Sequence, residues 1–168
     1  MKNIFLSAAV ASVALVSCGT VQSLMQNTFP YTANVLISTG VPANQEISSS
    51  ATASNVQSWV GGNNNAQIKN IRISEAKLTS VSGDDLSALR SAKVYISSAG
   101  GGERLVASRA DISTSGNTVT LDLNDTTYLD NIVKSSDLTV RTVYVLRNQV
   151  TRDTNMKVSL NFSSVPAN

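Results

Sequence analysis

The chain reads as an all-β protein, an antiparallel β-sandwich. Three observations predict it. From Tyr31 onward, apolar residues recur at every second position through most of the chain. Clusters of Gly, Pro, Asn and Ser interrupt that alternation at intervals of about ten residues, the spacing of turns between short antiparallel strands. Val and Thr, which suit a pleated surface, are abundant, and charged residues make up only 14% of the chain. A parallel sheet would need a helix between successive strands. The sequence has room for only two or three short helices.

The elements follow in order. Tyr31, Ala33, Val35 and Ile37 form one face of a first strand, which Thr39-Gly40-Val41-Pro42 stops. A second strand spans Glu46–Ala53, its pattern diluted by serines. Val56, Trp59 and Val60 have helical spacing and predict a short helix before the loop Gly61-Gly62-Asn63-Asn64-Asn65. Ile71 and Ile73 are in one phase, Ala76 and Leu78 in the other. A bulge near Ser74-Glu75 reconciles them. Ser82-Gly83-Asp84-Asp85 turns the chain, with Asp84 the expected N-cap of a helix over Leu86–Arg90.

Ala92, Val94 and Ile96 then face inward, and Lys93, Tyr95 and Ser97 outward. Ala99-Gly100-Gly101-Gly102 makes a hairpin to a strand holding Leu105, Val106 and Ala107. Past the turn at Ser115-Gly116-Asn117, Val119, Leu121 and Leu123 alternate. Asp125 is the expected cap of a helix burying Tyr128, Leu129, Ile132 and Val133. The longest strand sets Leu138, Val140, Thr142, Tyr144 and Leu146 against Thr139, Arg141, Val143, Val145 and Arg147. Met156, Val158, Leu160 and Phe162 close the domain. Seven or eight strands of this kind predict an immunoglobulin-like strand order, ahead of other Greek-key sandwiches.

The N-terminus is of another kind. Lys2 is followed by an uncharged run from Ile4 to Val16, 13 residues long. A bilayer-spanning helix needs about 20. A charged start, a short apolar region and small residues at its end are the pattern of a secretory signal peptide. Leu15-Val16-Ser17-Cys18 resembles the lipobox of bacterial lipoproteins. The resemblance implies cleavage before Cys18, with diacylglycerol on its thiol and acylation of the new amino group. Residues 1–17 are then a signal peptide, 18–30 a lipidated tether and 31–168 the sandwich. Cys18 is the only cysteine of the chain, so the lipid also accounts for a thiol with no disulfide partner. Gly19 in place of Asp points to the outer membrane, and the first acidic residue, Glu46, lies far enough on to favour its periplasmic face.

Lys2 is the single charged residue of 1–17, so the remainder carries 12 of the 13 basic and all 11 acidic residues. Near-neutrality gives no reason to expect nucleic acid as a partner. There is no His, which removes the commonest general base and metal ligand. No serine sits in a Gly-x-Ser-x-Gly elbow. Asp84 and Asp85 are adjacent, which suits a cap and a turn better than acid–base catalysis. Gly100-Gly101-Gly102 lacks the Lys-Ser/Thr of a phosphate loop. Asp122, Asn124, Asp125 and Asp130 resemble half of a calcium loop without its Gly and closing Glu. The other reading makes Asp122 an outward strand residue and Asp125 a cap. No enzyme, cofactor or metal is expected.

Trp59, beside Asn63 and Asn64, either stacks on a sugar or peptide or packs in the core. Tyr95 is on the outward face of its strand. Arg141 and Arg147 share a face with Val143 and Val145, which either docks another protein or is covered locally. The whole resembles small envelope lipoproteins of Gram-negative bacteria, built as lipobox, tether and β-sandwich. The expectation is a non-enzymatic structural or protein-binding module, with a glycan- or peptide-binding lipoprotein as the alternative.

Overall fold

The computed structural model describes residues 27–53, 68–113, 116–124, 127–135 and 137–167. Among the described residues nine strands lie in two antiparallel sheets: β1 (Asn27–Ile37), β2 (Glu46–Ala53), β3 (Ile68–Ser80), β4 (Leu89–Ser98), β5 (Gly102–Arg109), β6 (Thr118–Thr120), β7 (Asp122–Leu123), β8 (Leu138–Leu146) and β9 (Thr154–Pro166). One sheet runs β1-β9-β3-β6 and the other β2-β8-β4-β5-β7. Among the described residues the single helix is α1, Asp130–Val133, where two or three were expected.

The immunoglobulin-like expectation does not fit this order. In that fold the first two strands pair in one sheet. Here β1 and β2 lie in different sheets, and β1 pairs with the last strand, β9. Apart from β4 to β5 and β7 to β8, successive strands cross from sheet to sheet, with first against last and second against penultimate. That is the nested strand order of a jelly roll, with the two-residue β7 as an addition at one edge.

Inward alternation builds the core between the sheets. Phe29, Tyr31, Ala33, Val35 and Ile37 of β1 stand opposite Phe162, Leu160, Val158, Met156 and Thr154 of β9. All ten are buried. The first pair is stacked, with ring centroids 5.6 Å apart. Strand β1 therefore begins within the segment expected as tether, and Phe29 belongs to the core. Pro30, which has no N–H to give a ladder, is tolerated because β1 is an edge strand.

Bulges set the phases. The β3–β9 register slips between Ile73 and Glu75, where the phase change required it. The extra residue, Ser74, turns its hydroxyl to the Asn161 carbonyl, 3.0 Å away. A second slip, between Lys69 and Arg72, contains Asn70 at φ 58°. Asn tolerates this left-handed conformation. There the Ile71 amide donates to Asp130 Oδ2 at 3.0 Å, and the Ile71 carbonyl accepts from Leu129 N at 2.8 Å. In β5 the register passes from Ala107 to Leu105, leaving Val106 as the bulged residue. Val106 and Ala107 are both fully buried as a result.

Three local expectations fail. Leu86–Arg90 is not helical: Asp85 Oδ1 accepts the Ser87 amide at 2.7 Å, an Asx turn, and β4 starts at Leu89. Leu123 is exposed, because β6 belongs to one sheet and β7 to the other, so the alternation breaks as the chain crosses at Leu121. Tyr128 is exposed, with the Arg72 guanidinium 4.3 Å from its ring centroid. Helix α1 starts at Asp130 with no side-chain cap, and buries Ile132 and Val133. Asp125 and the predicted helix at Val56–Val60 lie outside the described residues.

Candidate functional site

The strand order sorts the connections between two ends of the sandwich. At the near end lie the start of β1, the end of β9, the β4–β5 hairpin and α1. At the far end lie four loops: β1–β2, β3–β4, β5–β6 and β8–β9. Strand β1 has 11 residues, and at ~3.3 Å per residue it separates the two ends by roughly 35 Å.

The far-end loops are tied to one another. Thr39 N donates to Asp153 Oδ1 at 2.7 Å, joining β1–β2 to β8–β9. Asp84 accepts from Ser82 Oγ and pairs with Arg152, joining β3–β4 to β8–β9. Asp85 Oδ1 accepts the Gly116 amide at 3.1 Å, joining β3–β4 to β5–β6. The Gly116 and Ser87 amides, in that order, hold the Asp85 carboxyl below its ordinary pKa. These two aspartates act as loop ties, which accounts for their adjacency.

Between the loops is an open cleft of about 640 Å³, lined by Asn44, Arg90, Ala110, Asp111, Arg147 and Asn148. Arg147 Nη2 donates to Asp111 Oδ1 at 2.5 Å and to the Ile112 carbonyl at 3.0 Å. Arg90 Nη1 donates to Asn44 Oδ1 at 3.1 Å. Asn44 sits at φ 60° and is pinned by its own amide to the Leu146 carbonyl at 2.8 Å. The Ile112 amide donates to the Arg90 carbonyl at 2.9 Å. The Arg147 guanidinium is thus placed by backbone, and that of Arg90 by the side chain of Asn44, whose own backbone is pinned. Sequence reasoning put Arg147 on the outer face of β8 and passed over the other five. They come from three separate connections and the start of β4, so no spacing along the chain marks them.

Trp59, Asn63, Asn64 and Cys18 lie outside the described residues. Tyr95 is on the outward face of β4, as expected, but its ring is covered by the Arg141 guanidinium at 4.2 Å. Arg141 reaches over β4 to Glu103 on β5 through two hydrogen bonds, of 2.8 and 2.6 Å. That fork lowers the Glu103 pKa and raises that of Arg141. Lys93 reaches in the other direction, over β8, to Glu46 on β2 at 2.8 Å. The aliphatic stems of these straps lie across the sheet, and Val143 is only 8% exposed although it faces outward. This face is covered by its own charged side chains, and Tyr95 is not free to stack on a ligand.

Of the calcium-loop candidates, Asp122, Asn124 and Asp130 are described, and each has another partner. Asp122 Oδ1 is 3.6 Å from Arg109. Asp130 gives one oxygen to the Ile71 amide and the other to Lys134 at 3.3 Å. Asn124 is exposed, its amide bonded to the Val106 carbonyl. Among the described residues no three His, Cys, Asp or Glu side chains stand close enough to hold a metal. A second, smaller cleft of about 230 Å³ lies on the other sheet beside Arg72, Tyr128 and Ser163.

No family model matches the chain. No curated protein matches it either. Among solved structures, it is similar to a chain of Desmodium yellow mottle tymovirus, at 11% identity over 99% of this chain and 97% of that one, with a TM-score of 0.30. It is also similar to a chain of the empty head of turnip yellow mosaic virus, at 13% identity over 100% of this chain and 92% of that one, again with a TM-score of 0.30. At that score these likenesses carry nothing about the fold or role of this chain.

Proposed function

We propose that the chain is a bacterial envelope lipoprotein, anchored through acylated Cys18. Its jelly-roll-ordered sandwich is a non-enzymatic module that holds another envelope component, protein or glycan, at its far end. The outer membrane, periplasmic face, is the proposed location. The observation that carries the reading is the placement of the cleft. Strand β1 starts at Asn27, nine residues after Cys18. The chain therefore enters the sandwich at the near end, where β1 starts, and the interlinked loops and their cleft stand at the opposite one. Two acyl chains suffice for stable anchoring, since each buried methylene contributes ~0.8 kcal/mol. Among the described residues no helix is long and apolar enough to cross a membrane.

The chemistry agrees with binding. The adjacent carboxylates Asp84 and Asp85 tie loops together, and the chain has no His. Photo-crosslinking in intact cells tests the proposal. A crosslinker at position 148 should trap a discrete envelope component, and one at position 69 should not. Cys18→Ser should abolish both fatty-acid labelling and the crosslink. Equal fatty-acid incorporation in Cys18→Ser and wild type would refute the anchor, and equal trapping from positions 69 and 148 would refute the far-end site.

A further inference from the structure

Deepening that reading at the same site, we propose that the far-end cleft binds a saccharide bearing a carboxylate. The lining argues for the chemical class. It offers two guanidinium groups, two amides and one carboxylate, with Ala110 as its apolar member. A peptide side chain finds no apolar or aromatic wall among these residues. Sugar hydroxyls donate and accept together, and the lining offers both: guanidinium groups that donate, a carboxylate that accepts, and amides that do each.

The charge argues for the anionic group. Asp111 already pairs with Arg147. Arg90 is held only by the neutral amide of Asn44, and among the described residues no carboxylate pairs with it. One positive charge in the cleft is thus unmatched. Its planar fork suits a carboxylate, which accepts two parallel hydrogen bonds. A phosphate carries more charge and would meet Asp111 in the same cleft, so the singly charged group is favoured. The volume of about 640 Å³ falls within the ~300–1,000 Å³ typical of small-ligand sites. The bonds that place the Asn44 and Arg90 backbones and the Arg147 guanidinium are formed before any ligand arrives. Little ordering is then left to oppose binding.

The test titrates the full lipidated chain, in detergent, with D-glucuronate, glucose, acetate and inorganic phosphate. Amide resonances of Asn44, Arg90 and Asn148 report binding. Glucuronate should shift all three and bind tighter than the other probes. Arg90→Gln should weaken glucuronate by about tenfold or more, the loss expected when a charge-assisted hydrogen bond is removed. Asn148→Ala should weaken it less, and both variants should keep the wild-type melting temperature. Phosphate or glucose binding as tightly as glucuronate would overturn the assignment, as would unchanged affinity in a folded Arg90→Gln variant. If crosslinks from position 148 persist while glucuronate fails to bind, the ligand class is wrong and the far-end module stands. If glucuronate binds and the crosslinks are absent, the docking reading falls instead.

Discussion

Leu160 is the sharpest probe of the core. Its side chain is 0% exposed. It stands in β9 between Tyr31 of β1 and Ala76 of β3, laddered on both sides. Leu160→Ala removes three buried carbons and leaves a void that two hydrogen-bonded neighbours cannot easily close. Large-to-small changes of this kind cost ~2–5 kcal/mol, with the upper half reserved for sites that cannot collapse. With β9 central to its sheet, about 3–5 kcal/mol is expected. A domain of this size has only ~5–15 kcal/mol in total. Urea denaturation should show a midpoint lowered by that free energy divided by an unchanged m-value, and melting should fall by roughly 2–4 °C per kcal/mol. Leu36→Ala, on the outward face of neighbouring β1 and 48% exposed, is the control. It should cost under ~0.5 kcal/mol. If the two variants lost similar stability, the inward phase assigned to β9 would be wrong.

Gly101→Ala should destabilise, whereas Gly100→Ala should not. A Cβ on Gly101 would lie 2.5 Å from Ile132 Cγ1 and 3.0 Å from its Cα, while one on Gly100 meets nothing within 4 Å. Overpacking of this kind costs ~1–3 kcal/mol, and equal melting temperatures would show that α1 yields freely. Arg141→Ala should cost about 1 kcal/mol, the combined scale of an exposed ion pair and a cation–π contact. Glu103 has a lowered pKa because Arg141 donates to it. A lowered carboxyl stabilises above its ordinary value and stops doing so as pH falls through the folded one. Glu103→Gln should therefore be less stable than wild type at neutral pH and converge with it as pH falls below about 4. A stability difference independent of pH would remove the ion pair from the account.

Much of the fold was legible in the chain itself, because a strand's side chains alternate with a period of two and one face must be dry. Val35, Val94, Val140, Leu160 and their neighbours are buried as that pattern requires. The bulge at Ser74 was readable as well, since a phase change within one strand has few other causes. The strand order was not. Alternation states which face is inward and nothing about which strand lies alongside, so an immunoglobulin-like order and the observed one are equally compatible with it. The same limit explains Leu123 and Tyr128, whose exposure depends on where the chain changes sheets and where Arg72 lies. It also explains the cleft. Asn44, Arg90, Asp111 and Asn148 are unremarkable turn and strand-end residues in sequence. Only the nesting of first strand against last brings those three connections and the start of β4 to one end, opposite the point where the chain enters the domain.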